Sequence, residues 1–468
     1  MATVSAPARP GTRAAGPTRR VPTWWRDAAG LLAWGSMLVV VALWVRGGGL
    51  QDLTGGTGAA LTTSGRLTGL VAADLMLVQV ALMARVPFVE RSYGQDELAR
   101  RHRLVGFTSF WLLVAHIVLT VLGYATSART GAWATAWDMV RTYPGMLLAA
   151  AGTALTVLVV VTSVRAARRR SRYESWHLVH LYGYLGAFLV VPHMVWTGRD
   201  FLTAPLASAY WWTAWALVAL AVLVFRVALP LWRTGRHRVV VERVVWEGPG
   251  VFSLHLRGHG LSRLPAAAGQ YFVWRFAGPG RTRGHPLSLS AAPHGDRLRV
   301  TAKVAGDGTA QMARLRPGTP VAFEGPYGRL TEAARTRPGV VLLGCGIGIT
   351  PMRALLEGLA YEPGRATLIY RARSEADLVL REEIRDIAAR RGAAVVELPG
   401  RRVPDRASWL PDWAARWDDA AALLRLVPDV ADRDVYLCGP DRWMDAARTA
   451  ALRAGVPAEQ IHRERFSM

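Results

Sequence analysis

Apolar stretches of spanning length alternate with short polar joints over roughly the first half of the chain. A helix needs about 20 mostly apolar residues to cross a bilayer. Six stretches qualify, at roughly 28–45, 66–86, 104–124, 145–164, 177–197 and 210–231. The pattern then changes. "RVVVERVVWEGPGVFSLHLRG", from Arg238, alternates and turns as the strands of a small antiparallel barrel do. Beyond it, "GVVLLGCGIGITPMRALLEGL", from Gly339, reads as a buried strand, a glycine turn and a helix. "ATLIYRARSEADLVLREEI" repeats the strand-and-helix order, and "DVYLCGPDRWMDAARTAALRAGV" supplies a last strand and helix. Strands alternating with helices predict a parallel sheet. The expected chain is multidomain: a tail over 1–26, an all-α six-helix transmembrane bundle over 27–233, an antiparallel β-barrel over 236–335 and an α/β parallel-sheet domain over 336–468.

Composition agrees with a membrane-embedded half. The 468 residues are 51% hydrophobic with a mean hydropathy of +0.17, and 19 are tryptophan, a residue enriched at membrane interfaces. A net charge of +23 suits nucleic acid or an anionic surface when taken alone, but its distribution points elsewhere. Arg9, Arg13, Arg19, Arg20 and Arg26 precede the first stretch. Arg85, Arg91, Arg100, Arg101 and Arg103 lie between the second and third. Arg165, Arg168, Arg169, Arg170 and Arg172 lie between the fourth and fifth, and Arg233, Arg236 and Arg238 follow the sixth. The other joints carry few charges. Basic joints stay cytoplasmic, so the N-terminus, these joints and everything after residue 233 are expected there. The basic excess of the membrane half is then topological, and no nucleic-acid partner is expected. The Pro/Ala/Arg-rich first 26 residues read as a disordered tail. Reading the first stretch as a cleaved signal leaves five spans and inverts the charge pattern. Two cysteines, Cys345 and Cys438, exclude a disulfide scaffold and a cysteine-ligated metal cluster.

Imidazole is costly in hydrocarbon unless something binds it. The third stretch carries His102 near its cytoplasmic end and His116 further out. Fourteen residues fall about 40° short of four turns and advance about 21 Å, so the two rings share a helix face at different depths. The fifth stretch carries His180 and His193. Both stretches run outward, so His102 matches His180 inside and His116 matches His193 outside. Two layers of facing imidazoles suit two six-coordinate haems, one per leaflet. No CxxCH motif is present, so the haem is expected to be non-covalent, of b type. The spacing of His180 and His193 puts them about 140° apart on an ideal helix, and Pro192 is expected to reset the phase. Any one of these histidines can equally be a packed or interfacial residue; four at paired depths favour ligation. His177, one turn before His180, is either a neighbour of the inner haem or an interfacial residue.

The second half carries an ordered series of short motifs: "GQYF" (Gly269–Phe272), "HPLSLS" (His285–Ser290), "KVAGDGTAQM" (Lys303–Met312), "GPYG" (Gly325–Gly328), "GCGIGITP", "CGP" and "IHRERF". Glycines let a backbone approach a phosphate, and the following helix N-terminus supplies N–H donors. The spacing of GCGIG is not GxGxxG, and a tight structural turn is its alternative. In this order the motifs resemble the ferredoxin-reductase-type flavoprotein module. From about residue 28 to the end, the chain resembles the ferric reductase and NADPH oxidase superfamily, six spans followed by that module. The resemblance implies that His285, Pro286, Leu287 and Ser288 cradle FAD, Ser288 near the isoalloxazine and His285 near the phosphates. It implies Lys303, Gly306, Gly308 and Thr309 on the pyrophosphate side. It makes Gly344, Gly346, Gly348, Thr350 and Pro351 the nicotinamide-nucleotide loop, with Cys438, Gly439 and Pro440 beside the nicotinamide. Arg371, Arg373 and Ser374 fall where family members bind the adenosine ribose. Two arginines there favour a 2′-phosphate, hence NADPH over NADH; a solvated face beside Glu375 and Asp377 is the alternative. Phe466 matches the near-terminal aromatic that covers the flavin, although Ser467 and Met468 follow it here.

Arg66 opens the second stretch on the outer side, placed to pair with a haem propionate or draw an anionic acceptor; a snorkelling arginine at the membrane edge is the alternative. One turn after His116, where NADPH oxidases place another histidine, this chain has Thr120, a departure from a dedicated oxygen-reducing site. The implied enzyme is an NAD(P)H-dependent transmembrane oxidoreductase of the plasma membrane. A hydride from cytosolic NAD(P)H reduces FAD, and electrons pass singly through two b-type haems to a small-molecule acceptor outside, a ferric chelate or oxygen. A protein partner is left open. One competing reading is an electron-donating subunit for a partner protein or quinone. Another, a haem-binding membrane sensor with a degenerate flavin module, is disfavoured by the intact flavin and nucleotide motifs.

Overall fold

The computed structural model describes residues 24–164, 173–278, 280 and 283–464, with the main chain alone at 173 and 174. The arginines expected at 9–20 and 165–172, and Phe466, lie outside the described residues. Among the described residues, six helices are long and apolar enough to span a membrane: α1 (Trp24–Arg46), α2 (Thr57–Met83), α3 (Gln95–Ala128), α4 (Met146–Ser163), α5 (Tyr173–Thr197) and α6 (Pro205–His237). The helix begins at Trp24, so the expected tail is shorter at its end than residue 26. α5 runs through Pro192 without a break. α6 widens into a π-helical turn at Leu223–Ala228, just ahead of Pro230, which has no N–H to continue the α-helical ladder.

The chain divides into two compact units between Val227 and Ala228. The expected boundary was 233. The last turns of α6 instead join the second unit, where Thr234 Oγ1 accepts the Phe323 N–H at 3.3 Å and Arg233 donates to the Gly325 carbonyl.

Within the membrane unit, α2 packs on α3 and α4 packs on α5, both through glycines. A Cβ on Gly65 would stand 2.5 Å from Thr120 Oγ1, and one on Gly123 would stand 2.6 Å from Thr62 N. Gly152 and Gly186 meet backbone to backbone, 2.7 Å separating a Gly152 Cβ from the Gly186 oxygen. Bilayer helices have no water to expel from between them, so small residues that let backbones touch supply the packing. The two histidine-bearing helices, α3 and α5, make no comparable contact with each other.

In the second unit, two three-stranded antiparallel sheets face each other. One has the order β1 (Val240–Gly248), β2 (Val251–Arg257), β5 (Arg297–Lys303). The other runs β4 (His285–Ser288), β3 (Tyr271–Phe276), β6 (Val321–Tyr327). Phe252, Leu254, Phe272, Trp274 and Phe323 fill the space between them. The second lobe is a five-stranded parallel sheet of order β11 (Ile461–Arg463), β10 (Arg433–Cys438), β7 (Gly339–Cys345), β8 (Ala366–Ala372), β9 (Ala394–Pro399). Each face is covered, one by α8 (Ile349–Gly358) and α9 (Arg381–Arg391), the other by α10 (Asp419–Leu426) and α11 (Asp441–Arg453). A short helix, α7 (Asp307–Met312), follows β5. Strand order reverses between β7 and β10, and open α/β sheets bind ligands beyond the strand ends at such a point.

Candidate functional site

His102, His116, His180 and His193 each have Nδ1 engaged. His102 Nδ1 lies 3.0 Å from the Gln79 carbonyl and His116 Nδ1 lies 2.7 Å from the Gly65 carbonyl, both on α2. A carbonyl only accepts, so both rings carry their proton on Nδ1. The Thr197 hydroxyl donates to His193 O at 2.7 Å, leaving its oxygen to accept from His193 Nδ1 at 2.8 Å. His180 Nδ1 lies 3.3 Å from Ser163 Oγ. No hydrogen bond reaches Nε2 of any of the four among the described residues. The His102 and His180 rings approach each other edge to face, centres 5.9 Å apart and planes at 64°. His193 lies within electrostatic reach of His116, and His177 beside His180. Glycines clear the outer layer: a Cβ on Gly69 would stand 2.5 Å from His116 Nδ1, and one on Gly145 would stand 2.8 Å from His193 N. The donor set fits haem, because a ring held at Nδ1 presents Nε2 to a metal in a fixed orientation.

Arg66 is not a snorkelling side chain. It donates to the carbonyls of Gly47 at 3.2 Å and Trp44 at 3.4 Å, and lies 3.7 Å from Asp52 and 3.8 Å from Asp200. Arg199 meets the same Asp52 at 3.2 Å. Burial raises the Asp200 carboxyl above its ordinary value, against the pull of Arg66 and Arg199. Asp74 was passed over in the sequence. It is buried in α2, where its carboxylate oxygens accept from Tyr210 at 2.8 Å and Ser36 at 3.0 Å, tying α2 to α6 and α1. A lone acid inside an apolar stretch was the available signal.

In the second unit, β4 and the turn before α7 converge. A Cβ on Gly308 would stand 2.9 Å from the His285 ring, and Thr309 Oγ1 accepts from the N–H groups of Ala305 at 2.8 Å and Gly306 at 3.2 Å. Pro286 and Leu287 are half-buried in β4, and Lys303 ends β5 in solvent. Ser288 is buried and its Oγ has no hydrogen-bond partner among the described residues. A buried hydroxyl left unsatisfied implies a group that completes it, so this site fits a polar ring such as the flavin's.

The predicted nucleotide residues also come together. Gly344 pairs with Cys438 across β7 and β10. A Cβ on Gly348 would stand 2.3 Å from the Cys438 carbonyl oxygen, and one on Gly439 would stand 2.8 Å from Cys345 Cβ. Gly346 takes φ +56, a conformation that favours glycine. Thr350 and Pro351 are buried in the first turn of α8, Thr350 donating to Ile347 O at 3.0 Å, and Pro440 precedes α11. Burial pushes the Cys345 thiol up to about 11; burial, then Glu464, pushes Cys438 up as well. Glu464 was also missed. A Cβ on Gly328 would stand 2.8 Å from both of its oxygens, which sets it against the "GPYG" turn.

The ribose assignment needs a correction at Arg371. Its guanidinium is buried and donates to the carbonyls of Arg401 at 2.7 Å, Gly400 at 2.8 Å, Leu398 at 3.2 Å and Ala372. Burial lowers its ordinary value. It clamps the turn after β9 and does not present itself to a phosphate. Arg373 is exposed, and Ser374 Oγ donates to Asp377 at 2.7 Å.

A bundle of six spanning helices joined to a two-lobed module, with a glycine turn at its switch point, defines a membrane protein with a ferredoxin-reductase-type flavin and nicotinamide module. Comparison bears this out. Residues 68–191 match the ferric reductase like transmembrane component and residues 342–449 match the oxidoreductase NAD-binding domain. The two matches together are consistent with the ferric reductase and NADPH oxidase superfamily. The ferredoxin reductase component of 3-ketosteroid-9-alpha-monooxygenase from Mycobacterium tuberculosis is 31% identical over 44% of this chain and 56% of that protein. NADPH oxidase 1 of Mus musculus is 29% identical over 32% of this chain and 26% of that protein. The chain therefore spans about half, or less, of the length of these curated relatives. Among solved structures, the flavohem-like FAD/NAD-binding domain of nitric oxide dioxygenase from Vibrio cholerae is 24% identical. It covers 49% of this chain and 98% of that chain, with a TM-score of 0.40.

Proposed function

We propose that the protein is a transmembrane oxidoreductase of the plasma membrane, passing electrons from cytoplasmic NAD(P)H through FAD and two b-type haems to an acceptor on the outer face, a ferric chelate or oxygen. The observation that carries this reading is the donor set in the membrane helices: four imidazoles, each engaged at Nδ1 and, among the described residues, open at Nε2. His102 and His180 would hold the inner haem, and His116 and His193 the outer. Bound haem supplies one-electron transfer, and bound flavin links it to two-electron hydride chemistry. The chain's own residues do the positioning. The carbonyls of Gln79 and Gly65 fix two rings and raise the basicity of their free nitrogens. Ser288 Oγ offers a hydrogen bond to the flavin ring, and Gly308 lets the turn before α7 close on His285. Gly346 and Gly348 bring backbone N–H groups at the start of α8 to a pyrophosphate. Arg373, with Ser374, is the candidate for a 2′-phosphate. Arg66, already held by Asp52 and Asp200, braces the strip of α2 that carries the Gly65 carbonyl.

The name of the murine relative supports an NADPH-linked reading, and that of the mycobacterial one supports a module that hands electrons onward. Purified protein should carry two haems by pyridine haemochrome and one FAD per chain. It should consume NADPH with oxygen or ferric citrate as sole acceptor. One haem or none per chain sinks the two-layer site, and turnover with a quinone alone selects the electron-donating subunit instead.

A further inference from the structure

We infer that Arg299, Glu383, Arg353 and Glu357 form a positioning bridge that sets the nicotinamide loop against the flavin strand; this rests on the flavin and nicotinamide reading above. α8 begins at the glycine turn of that loop, and its far end packs on the barrel. A Cβ on Gly358 would stand 2.6 Å from Ala268 Cβ, and one on Gly269 would stand 2.9 Å from Leu355 Cδ2. Arg353 lies one turn into α8, with only 5% of its side chain exposed. It pairs with Glu357 on the same helix and with Glu383 on α9. Glu383 also takes Arg299 of the barrel, Nη1 lying 3.0 Å and 2.9 Å from its two oxygens. Arg299 donates onward to Ser290 O at 2.7 Å and to Ser290 Oγ at 3.1 Å. Glu357 accepts the Ala292 N–H at 2.7 Å.

The barrel side of the bridge is equally well held. Thr301 Oγ1 donates to Ser290 Oγ at 2.7 Å and lies 2.7 Å from Ser253 Oγ. Residues 290–292 begin two positions after Ser288, so charges from the nucleotide lobe pin the exit of the flavin strand. Exposed ion pairs contribute little. Here both arginines are largely buried, Arg299 with 11% of its side chain exposed. Removing Glu383 leaves the largely buried Arg299 without its carboxylate partner, while Arg353 keeps Glu357 alone.

Hydride transfer breaks a C–H bond of the nicotinamide and forms an N–H bond on the flavin. Both electrons travel with the hydrogen, so NAD(P)H is oxidised as FAD is reduced. A misplacement of about 1 Å costs such a step about a hundredfold. In the full-length, FAD-loaded protein, Glu383→Gln should slow flavin bleaching by saturating NADPH at least tenfold. FAD content and the NADPH concentration for half-maximal rate should stay near the parent's. In the FAD-free full-length protein, the amides of 290–292 should exchange with deuterium about tenfold faster in Glu383→Gln and Arg299→Gln. Glu383→Asp should recover part of both effects. If Glu383→Ala loses FAD, Glu383→Gln decides. Parent-like bleaching in Glu383→Gln overturns the bridge, even with faster exchange, and so does unchanged exchange. If NADPH fails to bleach the parent protein, the flavin and nicotinamide reading falls, and the bridge with it.

Discussion

Ser288 buries a hydroxyl with no partner, and such a group costs about 1–3 kcal/mol in desolvation. That sign separates a ligand-facing residue from a structural one. Flavin-free Ser288→Ala should melt at the parent's temperature or above it, while flavin bleaching by NADPH slows about tenfold. A clear fall in the melting temperature of the flavin-free variant would mean that the hydroxyl serves the fold. The arginines of the ribose region divide in the opposite sense. Arg371 satisfies four backbone carbonyls from within the core, and stranding them costs about 1–3 kcal/mol. Arg371→Ala should therefore destabilise the parallel-sheet lobe whichever nucleotide is used. Arg373→Ala should leave the melting temperature unchanged and raise the KM for NADPH several-fold more than that for NADH. Equal effects on the two nucleotides would remove Arg373 from the 2′-phosphate.

At the scale of elements, the glycines of the membrane helices set where the rings stand. A methyl on Gly69 would press on His116 Nδ1, the atom that bonds the Gly65 carbonyl. Gly69→Ala should thus lower the haem content from two per chain to one, with the inner pair His102–His180 intact. Retention of both haems would show that α2 and α3 can shift apart at little cost. None of this was legible in the chain. Periodicity and length located the six helices, because a spanning run is a property of the sequence itself. They misplaced the start of α2, since Thr57–Ser64 is too polar to look membrane-like yet continues the helix. Histidine spacing exposed the ligand candidates. The groups that orient them, the carbonyls of Gln79 and Gly65 and the hydroxyl of Ser163, sit on neighbouring helices that no local pattern connects. The module's loops were readable because glycine and proline declare a backbone requirement. Arg371 was misread for the reverse reason. A strand buried on both faces shows no alternation, so nothing in "LIYRAR" marks which arginine points inward.

For the whole molecule, the two histidine layers allow the direction of electron flow to be tested. In the proposed orientation the start of α3 is cytoplasmic, with Arg100, Arg101 and Arg103 beside His102 in the sequence. Electrons entering from a cytoplasmic module would then meet the His102–His180 layer first. His116→Ala removes a ligand from the far layer and leaves the near one whole. NADPH should still reduce FAD and the inner haem, seen as a partial rise of the reduced b-type band, while steady turnover to an outer acceptor collapses. His102→Ala should stop the flow earlier and leave any remaining outer haem oxidised. An exchange of behaviour between the two variants would mean that the topology is inverted, against the charge of the joints. Normal turnover of His116→Ala with an acceptor that cannot cross the bilayer would take the outer layer off the path. The His116–His193 pair would then need another role.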